Sequence, residues 1–335
     1  MQKGLTYDDV LLVPQYSDIE SRSEVSLTTE FGRGVELGLP IIASPMDTVS
    51  EADMAGSLGE LGGISIVHRY NSIEEQSAMI ASLGENTLVG AAVGVSGDFA
   101  DRAVSAVAAG AKVICIDVAH GHHILMKKAI KKIREVLPNT HIMAGNVATL
   151  EGFNDLADWG ADSIRCNIGG GSICTTRVQT GHGVPGLETI LQCAKSDRNA
   201  KIIADGGIKN SGDIVKALAA GADAVMLGSL LAGTDCSPGT IFKTETGELR
   251  KTYRGMASAA AQKDWRGRVA SCEGVSSSVP YRGKLADVVK ELERGIRSGL
   301  SYSGARSVKE LQAKAQWLQQ SSASATESSA HIRLR

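Results

Sequence analysis

The sequence predicts a closed (β/α)8 barrel, and three observations predict it. Eight short apolar, β-branched runs alternate with stretches of helical period. The runs are apolar almost throughout, as strands of a parallel sheet covered on both faces are. Three junctions, "AAGAKVICID", "ADWGADSIRC" and "AAGADAVMLG", each end a helix on Gly-Ala and enter a strand. Gly110, Gly160 and Gly221 suit the left-handed conformation that closes a helix at those points. A doubly wound open sheet is the alternative. Repeated βα units with no G-x-G-x-x-G turn favour closure.

The strand runs are 39–46, 62–68, 88–94, 113–119, 141–147, 163–169, 201–207 and 224–229. A representative helix lies near 126–137, where Met126, Ala129, Ile130, Ile133 and Leu137 share a face. Lys127, Lys128, Lys131 and Arg134 point outward from it. After the eighth run, residues 234–283 are rich in Gly, Ser, Thr and Lys and show little periodicity. Such a long segment reads as an active-site lid or a linker. Helices follow at 285–300 and 307–320, and the Ser/Ala-rich tail 321–335 reads as flexible. Residues 1–320 thus form one catalytic domain that includes the flap.

Composition narrows the function classes. A net charge of −2 and 4 % aromatic residues exclude a strongly basic or base-stacking nucleic-acid binder. The six cysteines are scattered without a C-x-x-C pair and read as reduced thiols. The N-terminus lacks the pattern of a signal peptide, and no apolar run approaches the roughly 20 residues of a membrane span. These features point to a cytoplasmic protein with no membrane partner.

The chemistry concentrates at strand ends, where barrels place their sites. "GGGSICTTR" (169–177) sets Cys174 just past the sixth run, on a loop whose glycines let the backbone approach a ligand. Exposed N–H groups and Ser172 suit an anion, and exposed carbonyls suit a cation. A thiol beside Thr175 and Thr176 suits nucleophilic catalysis; the bland alternative is a flexible turn with an incidental cysteine. The seventh and eighth runs end in "ADGGI" and "MLGS", where Gly206, Gly207, Gly228 and Ser229 offer donors to a phosphate. Asp205 suits sugar hydroxyls instead. In "DVAHGHH", His120, His122 and His123 lack an i, i+4 pair and a completing cysteine, so a metal is not expected. Asp117 is the better ligand contact there.

Together these residues resemble the IMP dehydrogenase/GMP reductase family. "LTYDDVLLVPQ", "SPMDTV", "AGNVAT", "GGGSICTTR", "ADGGI", "VMLGSLLAGT" and "YRGMAS" follow its motifs in order over nearly the whole chain. The resemblance implies a homotetrameric barrel acting at C2 of a purine nucleotide through a covalent thioimidate. It makes Cys174 the nucleophile and directs the carbonyls of Gly169, Gly171 and Cys174 to a monovalent cation, potassium. Ser172, Gly207, Gly228, Ser229 and Tyr253 would hold the phosphate. Asp205 and Gly206 would serve the ribose side. Gly255, Met256, Ser258, Glu273 and Gly274 would line the purine. Asp117 and Asn146 would lie near the nicotinamide. Ser21, Arg22 and Arg69 match reductase cofactor contacts, and Ser301, Tyr302 and Gly304 would reach a neighbouring subunit's cofactor. Where the family usually shows "GIGPGS", Asn167 and Gly170 stand here. The family's regulatory cystathionine-synthase-type insert is expected to be absent, because one short helix links the second run to the third.

Within the family, the flap leans the reading to GMP reductase: GMP and NADPH give IMP, ammonia and NADP. The dehydrogenase activates water with an Arg-Tyr pair on a long flap. Here "MASAAAQKDWRGRVASCE" (256–273) has none, and Tyr281-Arg282 is reversed and lies beyond it. Thr176 and Glu273 would together protonate the departing amine. The alternative is IMP dehydrogenase with NAD, favoured by Pro45 in "SPMDTV" and by "VGAAVGVSGD"; Ala270 stands where an arginine tied to cofactor and purine contacts is common. A nucleotide-sensing barrel and a flavin-dependent barrel oxidoreductase are more distant readings.

Overall fold

The structure is a computed structural model that describes residues 3–269 and 272–328. Eight parallel strands close into a barrel: β1 (Ile41–Ala43), β2 (Ile64–Val67), β3 (Val89–Val93), β4 (Val113–Asp117), β5 (His141–Val147), β6 (Ser163–Cys166), β7 (Lys201–Asp205) and β8 (Ala224–Leu227). Each pairs with its sequence neighbour, and β8 closes on β1 through Val225–Ile41, Met226–Ile42 and Leu227–Ala43. All eight expected runs are strands; His141–Val147 matches its run in full, and the other seven are trimmed at the C-terminal end, where the chain turns into the site. The C-terminal glycines behave as expected: Gly110, Gly160 and Gly221 have φ of 121°, 114° and 117°.

The helices are α1 (Ala52–Glu60), α2 (Ile73–Ala81), α3 (Phe99–Ala108), α4 (Ile124–Val136), α5 (Leu150–Trp159), α6 (Gly186–Cys193), α7 (Ser211–Ala219) and α8 (Leu285–Tyr302). The α4 face predicted apolar is the buried one, with Met126, Ala129, Ile130 and Ile133 fully enclosed. The α8 helix packs on α7 and α1, so it fills the last position of the helical ring. No described helix is long and apolar enough to cross a membrane.

Two hydrophobic layers result. Ile42, Ile66, Val113, Met143, Ile203 and Met226 fill the barrel interior together with Phe31 and Leu37 of an N-terminal hairpin. That hairpin (Thr29–Gly32 with Val35–Leu37) plugs the barrel's N-terminal end: Phe31 stacks on His141, the first residue of β5. The larger layer lies between strands and helices. With the bottom plugged, the open end is the C-terminal one.

Three parts differ from expectation. The segment 234–283 is not an unstructured lid. It carries an antiparallel sheet of β9 (Ile241–Lys243), β10 (Leu249–Arg254) and β11 (Ser276–Pro280), and a helix at Ala259–Arg266. Alternation in β10 was hidden because a lysine faces inward. Lys251 is 2 % exposed, and its ammonium donates to the carbonyls of Thr234 and Ser237. The helix expected at 307–320 stops at Lys314, and Trp317–Gln319 pairs antiparallel with Val10–Leu12. A partner some 300 residues away overrides local helical period there. The tail residues Ser322–Glu327 form a helix capped by the Ser321 hydroxyl. The remaining tail residues and Ala270 lie outside the described residues.

Candidate active site

The C-terminal end of the barrel holds a cavity of 510 Å³, lined by loops after the strands and by the flap. That volume suits a small-molecule ligand. Of the residues singled out above, Gly169, Gly171, Ser172, Cys174, Thr176, Asp205, Gly206, Gly207, Gly228, Ser229, Tyr253, Gly255, Met256, Glu273 and Gly274 line it, as do Arg69, Asp117 and Asn146. Ser258 sits just beneath, 1 % exposed, where it bridges to Gly274 and caps the flap helix.

Cys174 is half-buried, with Sγ 3.1 Å from Thr176 Oγ1. The Thr176 hydroxyl donates to Glu273 Oε2 at 2.8 Å. The flap creates this alignment: the Thr175 N–H donates to the Glu273 carbonyl at 2.9 Å, and Cys174 bridges to Gly274. A thiol, a hydroxyl and a carboxylate thus form one relay across 99 residues of sequence that no local pattern joins. The other barrel thiols differ. Burial pushes Cys115 up to about 12 and Cys166 well above the ordinary thiol value, so neither is a nucleophile near neutrality.

Asp205 ends β7 and is held from one side. Its Oδ2 accepts from Asn146 Nδ2 at 2.7 Å and from Arg165 at 3.1 and 2.8 Å. Arg165 also pairs with Asp117. Sequence reasoning missed this arginine, 6 % exposed in the middle of β6. The signal was present: a lone cation in the apolar run "SIRC" needs buried carboxylate partners, and the fourth and seventh runs carry Asp117 and Asp205 toward their C-terminal ends. Desolvation opposes its charge, but Asp205 and then Asp117 outweigh that and hold its pKa well above the ordinary value.

Opposite lies a donor-rich corner. Gly206 and Gly207 turn at φ of 83° and 76°, left-handed values that glycine adopts without strain. Tyr253 is buried and hydrogen-bonded with Ser172; burial, the larger influence, raises its phenol to about 12, so it stays a donor across the physiological range. Ser44, also missed, places a buried hydroxyl without a partner at this corner, near Gly228. On the flap side, Tyr70 donates to the Met256 carbonyl at 2.8 Å and stacks on Trp265 at 5.8 Å. Arg69 lies over the Tyr70 ring and donates to the Asp117 carbonyl at 3.3 Å.

Five predicted cofactor contacts are not brought to this cavity. Ser21 caps a short turn at Arg22–Glu24. Arg22 lines a separate groove with Lys290 and Arg294. Ser301, Tyr302 and Gly304 sit where α8 ends against the segment around Gln15 and Tyr16. Two of the three histidines serve structure: His122 pairs with Asp155 at 2.9 Å, and His123 caps α4. Among the described residues, no group of three His, Cys, Asp or Glu side chains could hold a metal.

This geometry has relatives. The family model described as "IMP dehydrogenase / GMP reductase domain" matches residues 4–331. An inosine-5'-monophosphate dehydrogenase from Nitrosopumilus maritimus is 35% identical, covering 98% of this chain and 98% of that protein. A GMP reductase from Onchocerca volvulus is 36% identical over 93% of this chain and 89% of its own length. The crystal structure of a cysteine-to-alanine GMP reductase from Trypanosoma brucei, in complex with guanosine 5'-monophosphate, superposes with a TM-score of 0.94 at 32% identity, covering 99% of this chain and 98% of that one. With the family model spanning residues 4–331 and relatives above 30% identical along nearly the whole chain, the chain belongs to the IMP dehydrogenase/GMP reductase family.

Proposed function

We propose that this chain is a GMP reductase, converting GMP and NADPH to IMP, ammonia and NADP. The observation that carries the reading is the flap from Met256 to Glu273, which holds no Arg-Tyr pair, and beside it stands the relay from Cys174 through Thr176 to Glu273 at 3.1 and 2.8 Å. The Cys174 sulfur would attack C2 of the purine. The Thr176 hydroxyl, coupled to Glu273, would deliver a proton to the departing amine, which leaves as ammonia and forms the thioimidate. A reduced nicotinamide, when bound, supplies the hydride that C2 then accepts. Cys174 departs as the purine regains its double bond, giving IMP.

The cavity supports a mononucleotide. Ser172, Gly207, Gly228, Ser229 and the Tyr253 hydroxyl would hold the phosphate, with Ser44 as a further donor. Asp205, fixed by Arg165 and Asn146, would take the ribose hydroxyls. Asp117, Asn146 and Arg69 would face the nicotinamide. Ser21, Arg22, Ser301, Tyr302 and Gly304, remote from the cavity of their own chain, would serve a neighbour's cofactor in a homotetramer. The carbonyls of Gly169, Gly171 and Cys174 fit a monovalent cation such as potassium better than a divalent one, because no carboxylate cluster joins them.

The second reading is an NAD-dependent IMP dehydrogenase. The similar identity to dehydrogenase relatives favours it. The flap between Met256 and Glu273, with no Arg-Tyr pair to activate water, weighs the other way. Purified protein with GMP and NADPH in potassium buffer, followed by loss of reduced-cofactor absorbance, decides between them beside a well of IMP and NAD. Consumption in the first well, abolished by Cys174→Ala, is expected. Turnover only in the second would replace the reductase with the dehydrogenase.

A further inference from the structure

The site contains a residue placed against its own backbone preference. Asn167 follows β6 and opens the Cys174 loop. Its φ is 149°, a positive value that side-chain-bearing residues rarely adopt. It is 4 % exposed, and its Oδ1 is buried without a hydrogen-bond partner. Glycine would relieve both penalties. What glycine would lose is the Nδ2 group, which donates to the Asp205 carbonyl at 2.8 Å and reaches the Gly206 carbonyl at 3.4 Å. The Asn167 backbone is itself anchored: its N–H donates to Val147 at 2.8 Å, and its carbonyl accepts from Asn146 at 3.1 Å. The amide therefore spans from an immobile base under the nucleophile's loop to the turn that carries Asp205, Gly206 and Gly207.

The same side chain dictates its neighbour. A Cβ on Gly170 would fall within 3.0 Å of Asn167 Nδ2, Oδ1 and Cγ. Asn167 thus occupies the space a side chain at 170 would need. The two departures from the family's usual loop, Asn167 and Gly170, are one steric unit.

We infer that Asn167 is a positioning residue: its amide braces the Cys174 loop against the Asp205–Gly206 turn and fixes where the ribose and phosphate end of the nucleotide sits relative to the thiol. The inference rests on the nucleotide reading of the cavity. The brace acts on the turn and touches no reacting atom, so it governs nucleotide affinity more than the chemical step.

Two substitutions separate this role from packing. Asn167→Leu keeps the branched shape, adds no charge and cannot donate to the two carbonyls. Asn167→Gly removes the brace and the backbone strain together. Calorimetry with GMP and with IMP, steady-state kinetics with whichever turns over, and thermal melting are the readouts. Loss of one hydrogen bond predicts a Kd and KM for nucleotide raised about tenfold in both variants, with kcat changed less. The Asn167→Gly protein should melt no lower than the parent. Gly170→Ala alone should lower the melting temperature, and Asn167→Gly should restore it in the double variant. Nucleotide affinity of Asn167→Leu equal to the parent's would overturn the brace while leaving the nucleotide reading intact. So would an Asn167→Gly protein that melts lower yet binds normally. If the parent binds neither GMP nor IMP, the nucleotide reading fails and the brace falls with it.

Discussion

Arg165 shows how much of the site depends on single buried residues. It neutralises Asp117 and Asp205, which strands β4 and β7 bring to the same depth. Removing one member of such a buried set leaves uncompensated charge, at a cost of about 3–5 kcal/mol. Arg165→Leu is therefore expected to lower the urea-unfolding free energy by that order; a change below about 1 kcal/mol would mean the carboxylates find other partners. In the proposed reaction, Thr176 and Glu273 would serve the chemistry instead. Thr176→Val and Glu273→Gln are each expected to reduce turnover by roughly 10²-fold or more, the range for general acid catalysis, with nucleotide affinity nearly unchanged. Equal losses in affinity and turnover would show that the pair binds substrate rather than moving a proton. The place of Cys174 in the cavity was legible because a thiol on a glycine loop after a barrel strand has no packing reason to be there. Arg165 and Asn167 were harder to read. Their significance lies in partners contributed by other strands.

At the scale of elements, the N-terminal hairpin ties barrel integrity to pH. Burial holds His141 down at about 4, against an ordinary value near 6.5, while it stacks on Phe31 and pairs with the Ser163 hydroxyl at 2.8 Å. In the fold this imidazole stays neutral until the pH approaches 4; in the unfolded chain it protonates near 6.5. Between those values the unfolded chain binds more protons, so the native state loses stability as pH falls, by roughly 2–3 kcal/mol across the window. Above pH 6.5 the contribution is fully retained. Chemical denaturation at pH 7 and at pH 4.5 should show a smaller acid loss for His141→Gln than for the parent. Parallel losses in the two proteins would place the acid sensitivity elsewhere. The flap is the element sequence reasoning described least well. Its sheet is laid on the barrel's surface, so its strands alternate weakly, and Lys251 reverses the expected polarity by pointing inward to carbonyls.

At the scale of the whole molecule, the two ends of the described chain close on each other. Val10–Leu12 pairs with Trp317–Gln319, and Val13 and Gln320 extend the backbone contacts on either side. Truncation after Ala315 removes this strand and leaves a bare edge. At about 1 kcal/mol for each lost backbone hydrogen bond, a loss of a few kcal/mol and a clear drop in melting temperature are expected. An unchanged melting temperature would show that the pairing adds nothing to the stability of the barrel.

The order of the barrel, its eight strands and its C-capping glycines were determined by the sequence alone. These features rest on apolar period and φ preference, which act over a few neighbouring residues. The cavity positions of Cys174, Asp205, Gly206, Gly207 and Gly228 were equally legible, because each lies where a strand ends. Tertiary structure decided the rest: the relay from Cys174 to Glu273, the ion pairs of Arg165, the brace of Asn167, the flap sheet and the pairing of the two ends. Each of these joins residues from different elements, most of them tens to hundreds of positions apart. Their energies appear only when chain closure brings the partners to hydrogen-bonding distance, so no local pattern in the sequence announces them.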